Sequence, residues 1–199
     1  MRSCNAFLAA ALACAVAVAP AEARTILFIG NSFTFGANSA FHYYKPETVT
    51  DLNGPGATGK TVGGVPAIFK AFTKQAGLDY TVSLETVGGR GLDYHYAEKR
   101  ALLDKPWDDV VMHGYSTLDQ AKPGDPALLV SSAKTMADML RARNRAVNIY
   151  LSATWSRPDQ TFPPNRPWNG KPIQQMGKDV AAAYDLAGKA AGATAIVHV

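Results

Sequence analysis

Short strand-like runs alternate with helical patterns along this 199-residue chain, and the alternation limits the folds open to it. Five runs of strand length carry β-branched or alternating apolar residues: residues 25–29, 80–86, 109–112, 147–151 and 194–199. Four helical segments lie between them: residues 65–75, 92–103, 126–143 and 173–191. Strands joined by helical crossovers pair in parallel and are buried on both faces. The sequence therefore predicts an α/β fold, a three-layer α/β/α sandwich that is flavodoxin-like, with a parallel sheet of about five strands.

Two segments are predicted to be long loops. Residues 45–64 are rich in Gly and Thr, and residues 156–172 hold five prolines. Neither segment separates two regions of different composition, so a single domain is expected.

The first 23 residues differ from the rest of the chain. Arg2 precedes an Ala-rich apolar run at residues 7–18, and Ala21 and Ala23 form a small-x-small site. This pattern is typical of a secretory signal peptide cleaved after Ala23. The apolar run is shorter than the roughly 20 residues that span a bilayer. We therefore expect a secreted or periplasmic protein with residues 24–199 as its domain and no membrane span after cleavage.

Cysteine usage and charge exclude several classes of site. Both cysteines, Cys4 and Cys14, lie in the leader, so the exported chain would contain neither disulfides nor a thiolate nucleophile. The His, Asp and Glu residues lack metal-ligand spacing, and we expect no metal or other cofactor. The net charge of +4 comes without a run of Lys or Arg, which gives no reason to expect a nucleic-acid partner.

The strongest chemical signal follows the first strand, where an apolar run leads directly into Gly30, Asn31 and Ser32. Ligands of parallel α/β sheets bind beyond the carboxyl ends of the strands, and Ser32 is expected there. A serine at this position could attack a carbonyl group if a base lies near. The alternative is an ordinary serine at the start of a helix, which strand–turn–helix junctions commonly use.

Residues 26–36 resemble the first block of the SGNH, or GDSL-like, hydrolase superfamily. The resemblance covers most of the chain after the leader and implies ester hydrolysis with Ser32 as the nucleophile. It also implies a backbone oxyanion donor after the second strand, where Gly89 is favoured and Gly88 is the alternative. The third block of the family carries an Asn, which this chain lacks. The hydroxyl of Tyr115 or Ser116 could donate there instead, and Asn31 could support the oxyanion site.

The base of the family comes from an Asp-x-x-His sequence near the C-terminus, and this chain has none. Either the sequence is a fragment that ends before that block, which we favour, or the usual triad is absent. His113 and His95 follow the third strand and the glycine turn, so either could substitute. An ordinary hydrogen-bonded histidine is the preferred interpretation of each.

The resemblance implies a small-molecule, carbohydrate or lipid ester as substrate, and Phe33 and Trp155 are candidate walls for its cleft. One alternative is a non-catalytic, secreted binding module on the same fold. A remote alternative is a nucleotide-binding protein, because residues 54–61 match the phosphate-binding string G-x-x-x-x-G-K-[ST]. The polar run before that string and the glycines after it argue against this reading.

Overall fold

The apolar runs pair into one parallel sheet in the computed structural model, which describes residues 23–56 and 59–198. The predicted strands form β1 (Arg24–Gly30), β3 (Tyr80–Thr86), β4 (Asp109–Met112), β5 (Asn148–Ser152) and β6 (Ala195–Val197). A sixth strand, β2 (Thr50–Asp51), adds to the edge beside β3. The order is β2-β3-β1-β4-β5-β6, so the five predicted strands have the flavodoxin-like order. The predicted fold class is confirmed.

Helices connect the strands and cover both faces of the sheet. Four of them match the predicted segments: α2 (Gly64–Gln75), α3 (Leu92–Leu103), α4 (Ala127–Arg143) and α6 (Ile173–Ala191). Two are single turns: α1 (Ser32–Phe35), directly after β1, and α5 (Pro158–Thr161). The segments predicted as long loops are thus not wholly irregular. One contains a 3₁₀ turn (Pro46–Thr48) and β2, and the other contains α5.

The larger hydrophobic core lies between the sheet and the helices α3, α4 and α6. Side chains of β1, β4 and β5 that point to this face, among them Leu27, Met112 and Leu151, are fully buried. Tyr184 of α6 is also inaccessible to solvent, and its hydroxyl accepts a hydrogen bond from the Gly114 amide at 3.1 Å. This core therefore holds the segment that follows β4 as well as the helices.

The opposite face of the sheet is covered less completely. Phe28 and Leu84 pack there against Phe69 of α2. Farther across, the buried carboxylate of Asp109 is held by Arg24 and Asn148. At the edge, β6 leaves about half of Val197 exposed (51%). Within residues 23–56 and 59–198, α2 is the one long helix on this face.

The strand order creates a crevice next to β1. From β1 the chain first builds the β3 side of the sheet and then crosses to build the β4 side. The loops that follow β1 and β4 therefore diverge at this switch point, which is where ligands bind in open α/β sheets. Ser32 follows β1, and residues 113–117 follow β4.

The string at residues 54–61 lacks the surroundings of a phosphate-binding loop. It follows the two-residue edge strand β2, and the next helix begins only at Gly64. The Lys60 ammonium lies 5.4 Å from the centre of the Tyr43 ring. Residues 57 and 58 lie outside the described residues, as does all of the predicted leader up to residue 22. In the described part of the chain, no helix has the length and apolar character needed to cross a membrane.

Candidate active site

Ser32 begins α1, and Asn31 holds the turn before it. The Asn31 side-chain oxygen accepts a hydrogen bond from the Phe33 amide at 3.2 Å and thereby caps the short helix. Its side-chain nitrogen donates to the carbonyl oxygens of Arg90 at 2.8 Å and Gly114 at 3.2 Å. One buried side chain thus joins the loops that follow β1, β3 and β4.

Asn31 therefore supports the site rather than offering a free donor. Both hydrogens of its amide point to backbone carbonyls, so neither is left for a reacting oxygen. The side chain is almost completely buried, so its hydrogen bonds form away from water.

The hydroxyl and the backbone N–H of Ser32 are unengaged, whereas its carbonyl oxygen accepts a hydrogen bond from the Ala37 amide at 2.9 Å. Among residues 23–56 and 59–198, its hydroxyl has no hydrogen-bond partner and its backbone N–H has no acceptor. Ser32 lies where two cavities meet, one of about 440 Å³ and one of about 320 Å³. A partly buried hydroxyl without a partner, beside open space, can reach a bound molecule.

The glycine turn after β3 places Gly89 on the same smaller cavity as Ser32. Its backbone has φ of +70°, the left-handed region that glycine adopts without strain. Within the described residues, the Gly89 N–H donates no hydrogen bond. Gly88 instead lies beside the Phe35 ring, where an added Cβ would come within 3.6 Å. Of the two candidate oxyanion glycines, Gly89 shares the cavity with Ser32.

Tyr115 and Ser116, which follow β4, also line the smaller cavity. The Tyr115 ring packs directly on Gly91, where a Cβ would clash with the ring. Burial, and then the Asp93 carboxylate, raise the pKa of Tyr115, so its phenol stays protonated and can donate a hydrogen bond. The Ser116 oxygen accepts a hydrogen bond from Arg157 at 2.7 Å, which leaves the Ser116 proton free to donate.

His113 is buried and both of its ring nitrogens are engaged. Nδ1 lies 3.0 Å from the Gly114 carbonyl oxygen, which can only accept, so Nδ1 must carry the proton. Nε2 then accepts a hydrogen bond from the Thr34 hydroxyl at 2.8 Å. Burial lowers the pKa of His113 to about 4 and keeps the ring neutral. This arrangement pairs His113 with Thr34 instead of Ser32.

The other histidines also have partners away from Ser32. His95 is fully buried on α3, where Nδ1 faces the buried Glu85 carboxylate. His42 donates to the Phe35 carbonyl, and His198 lies 3.1 Å from Asp185 at the surface. No hydrogen bond joins Ser32 to any of the four histidines of the sequence, all of which the structure describes.

Aromatic side chains form a wall of the larger cavity. Phe33 and Trp155 meet edge to face with ring centroids 4.6 Å apart, and both line this cavity with Phe41. The Arg157 guanidinium lies 5.9 Å from the Phe33 ring centre and borders both cavities. The two aromatic residues predicted to flank the cleft thus stand beside Ser32.

Sequence reasoning missed five polar residues of the smaller cavity. They come from the segments that follow β4 and β5: Thr117, Gln120, Arg157, Gln160 and Arg166. The signal that could have found them is positional, because the carboxyl ends of parallel strands share one rim of the sheet. Within the proline-rich loop, however, no periodicity indicates which side chains turn toward Ser32.

No protein-family model and no curated protein matches the sequence. Solved structures do match its fold. A candidate SGNH hydrolase from Slackia heliotrinireducens is 19% identical with a TM-score of 0.56, over 87% of this chain and 78% of that one. TesA is 16% identical, with a TM-score of 0.54 over 86% and 77% of the two chains. The SGNH-hydrolase family esterase AlinE4 is 14% identical, with a TM-score of 0.57 over 87% and 75%. The predicted resemblance is thus confirmed at the level of the fold.

Proposed function

We propose that this chain, which has the fold of SGNH hydrolases, is a serine esterase with Ser32 as its nucleophile. The observation that carries the proposal is the free hydroxyl of Ser32 in an open crevice, beside two free backbone amides. Ser32 and Gly89 line one cavity, and their N–H groups have no acceptor among the described residues. Such donors can stabilise the negative charge that develops on an ester oxygen.

The proposed reaction is acyl transfer to water. The Ser32 oxygen attacks the ester carbonyl carbon while a base takes its proton, and the carbonyl oxygen becomes an oxyanion. The amides of Ser32 and Gly89 hold that oxyanion, and Tyr115 or Ser116 can add a third donor. The intermediate collapses, the alcohol leaves with the proton, and water then releases the acid from the acyl-enzyme.

We propose that the base is a histidine from a segment that follows residue 199 in a longer protein. The support is the placement of the four histidines present, none of which is bonded to Ser32. The neutral ring of His113 already accepts a hydrogen bond from Thr34, so it would have to break that bond before it could serve.

The test is hydrolysis of p-nitrophenyl acetate by the protein expressed from its complete reading frame. Ser32→Ala should reduce kcat/KM by about 10³-fold or more, to the background rate, because the nucleophile is lost. Ser131→Ala, an exposed serine on α4, is the matched control and should keep the wild-type rate. Equal rates for wild type and Ser32→Ala would refute the esterase proposal.

A second candidate function is a non-catalytic binding module on the same fold. The pairing of His113 with Thr34 favours it, because a crevice without a base can bind a ligand without cleaving it. A protein that binds acetylated sugars but hydrolyses them no faster than Ser32→Ala would support this alternative.

We also propose that residues 1–23 direct export and are removed. The pattern at Arg2, residues 7–18 and Ala23 supports this, as derived from the sequence. N-terminal sequencing of the exported protein should begin at Arg24, and an intact Met1 would contradict the proposal.

A further inference from the structure

Ser32 separates two cavities whose linings differ in chemistry. Ser32, Phe33 and Arg157 line both cavities, and the larger cavity adds the aromatic rings of Phe41 and Trp155. The smaller one is lined by amides, hydroxyls and guanidinium groups, among them Gln120, Thr117, Gln160, Arg157 and Arg166. An ester bound at Ser32 would extend into both cavities, so its two ends would meet different surroundings.

The two charged side chains that line the smaller cavity, Arg157 and Arg166, are both positive. Arg157 forms two hydrogen bonds with the Asp159 carboxylate, at 3.0 and 2.6 Å. Although burial opposes it, hydrogen bonds from Gln160 and Arg157 lower the pKa of Asp159. Asp159 therefore stays ionised at neutral pH and balances the charge of Arg157.

Arg166 has no such balance. It is exposed, and no carboxylate of the described residues lies within salt-bridge distance of it. The lining of the cavity therefore offers one guanidinium group without a carboxylate partner, together with neutral hydrogen-bond donors. Guanidinium groups present a fork of N–H donors that matches the geometry of a carboxylate.

We propose that the substrate is an ester with one polar, carboxylate-bearing end, which binds in the smaller cavity against Arg166. The other end of the ester lies against the aromatic wall of the larger cavity. The inference rests on the proposed esterase function for its choice of an ester, but carboxylate binding in the cavity can be measured without hydrolysis.

The first test is binding of glucuronate and glucose, which differ at one carboxylate, followed by backbone NMR shifts. Glucuronate should shift the amides of Gly89, Ser116 and Arg166 and bind more tightly than glucose. Arg166→Gln should weaken glucuronate binding about two- to fivefold, the range of one exposed ion pair. High salt should produce a similar loss in the wild type, because it screens exposed charges.

Arg145→Gln is the matched control, because it removes the same charge from an exposed arginine between α4 and β5, at the opposite rim. It should leave glucuronate affinity unchanged. The inference is overturned if glucuronate shifts none of the cavity amides, or if Arg145→Gln weakens binding as much as Arg166→Gln.

The second test compares rates for phenyl acetate, 4-acetoxybenzoate and monophenyl succinate. The last two carry a carboxylate on the alcohol side and on the acyl side. For one of them, the ratio of its kcat/KM to that of phenyl acetate should fall about two- to fivefold in Arg166→Gln and stay constant in Arg145→Gln. Unchanged ratios for both charged esters would overturn the inference.

The two proposals fail in different ways. An inactive protein that binds glucuronate at Gly89 and Arg166 would refute the esterase and keep the carboxylate site. An active esterase whose preference between charged and uncharged esters is unchanged in Arg166→Gln would support the esterase proposal and refute the carboxylate site.

Discussion

The three hydrogen bonds of Asn31 fix the position of Ser32 and can be tested by a matched pair of substitutions. Asn31→Ala removes all of them and should lower the free energy of unfolding by about 2 kcal/mol, since a buried side chain loses three hydrogen bonds. Asn31→Asp keeps the shape and the acceptor for the Phe33 amide but faces the carbonyls of Arg90 and Gly114 with a carboxylate. Asn31→Asp should lower the free energy of unfolding, measured with urea, by at least as much as Asn31→Ala. A wild-type stability for Asn31→Asp would show that the two donated bonds contribute little.

His113 gives the stability of the protein a defined pH dependence. Its pKa is about 4 when folded and 6.5 in its ordinary state, so between these values the unfolded chain binds the extra proton. This contribution is complete above pH 6.5 and is lost as pH falls toward 4. Lowering the pH from 7 to 5 should therefore lower the free energy of unfolding by about 2 kcal/mol through His113.

The measurement for His113 is urea unfolding at pH 7 and pH 5 for the wild type and His113→Gln. Carboxylates contribute to the pH dependence of both proteins, so the difference between the two isolates the histidine. The variant should lose about 2 kcal/mol less than the wild type over this interval. An identical pH dependence in both proteins would contradict a neutral, buried His113.

At the level of elements, the start of α2 lies so close to α1 that it admits no side chain. Gly64 has φ of +57°, and a Cβ there would come within 2.5 Å of the Thr34 carbonyl oxygen. Gly77, just after α2, has φ of +69° with open space around it. An alanine at position 77 therefore introduces backbone strain alone, whereas an alanine at position 64 adds a steric clash.

Gly77→Ala should cost about 1 kcal/mol of unfolding free energy, from the left-handed backbone alone. Gly64→Ala should cost about 3 kcal/mol or more, because α1 or α2 must also move. Thermal or urea unfolding checks both values. Equal losses would mean that the junction of α1 and α2 yields easily and does not constrain Ser32.

For the whole molecule, the uneven cover of the sheet predicts that backbone amides differ in their protection from hydrogen exchange. β1 has a strand on each side and buried side chains on both faces, whereas β6 lies at an edge with Val197 half exposed. Amides of β1 should therefore exchange with deuterium roughly tenfold or more slowly than those of β6. Hydrogen exchange followed by mass spectrometry checks this, and equal protection would show that the far edge is as well packed as the centre.

Local patterns predicted most of the elements. Strand β3 and helices α3 and α6 have the predicted bounds, because their apolar spacing is a property of neighbouring residues. Strand β2 was missed, since two polar residues carry no period and their pairing with Ser83 and Leu84 depends on the neighbouring strand. The short helix α5 was missed for a similar reason, because the prolines around it resemble those of an irregular loop.

The sequence by itself determined that Ser32 follows a buried strand. It also determined that Gly89 and residues 113–117 follow two other strands, because a strand and the turn after it consist of adjacent residues. Only the tertiary structure decided that His113 pairs with Thr34 and that Arg157 and Arg166 line the cavity of Ser32. The physical reason is that such partners are set by strand order and by the path of loops. Both depend on packing between residues far apart in the chain, which no local pattern encodes.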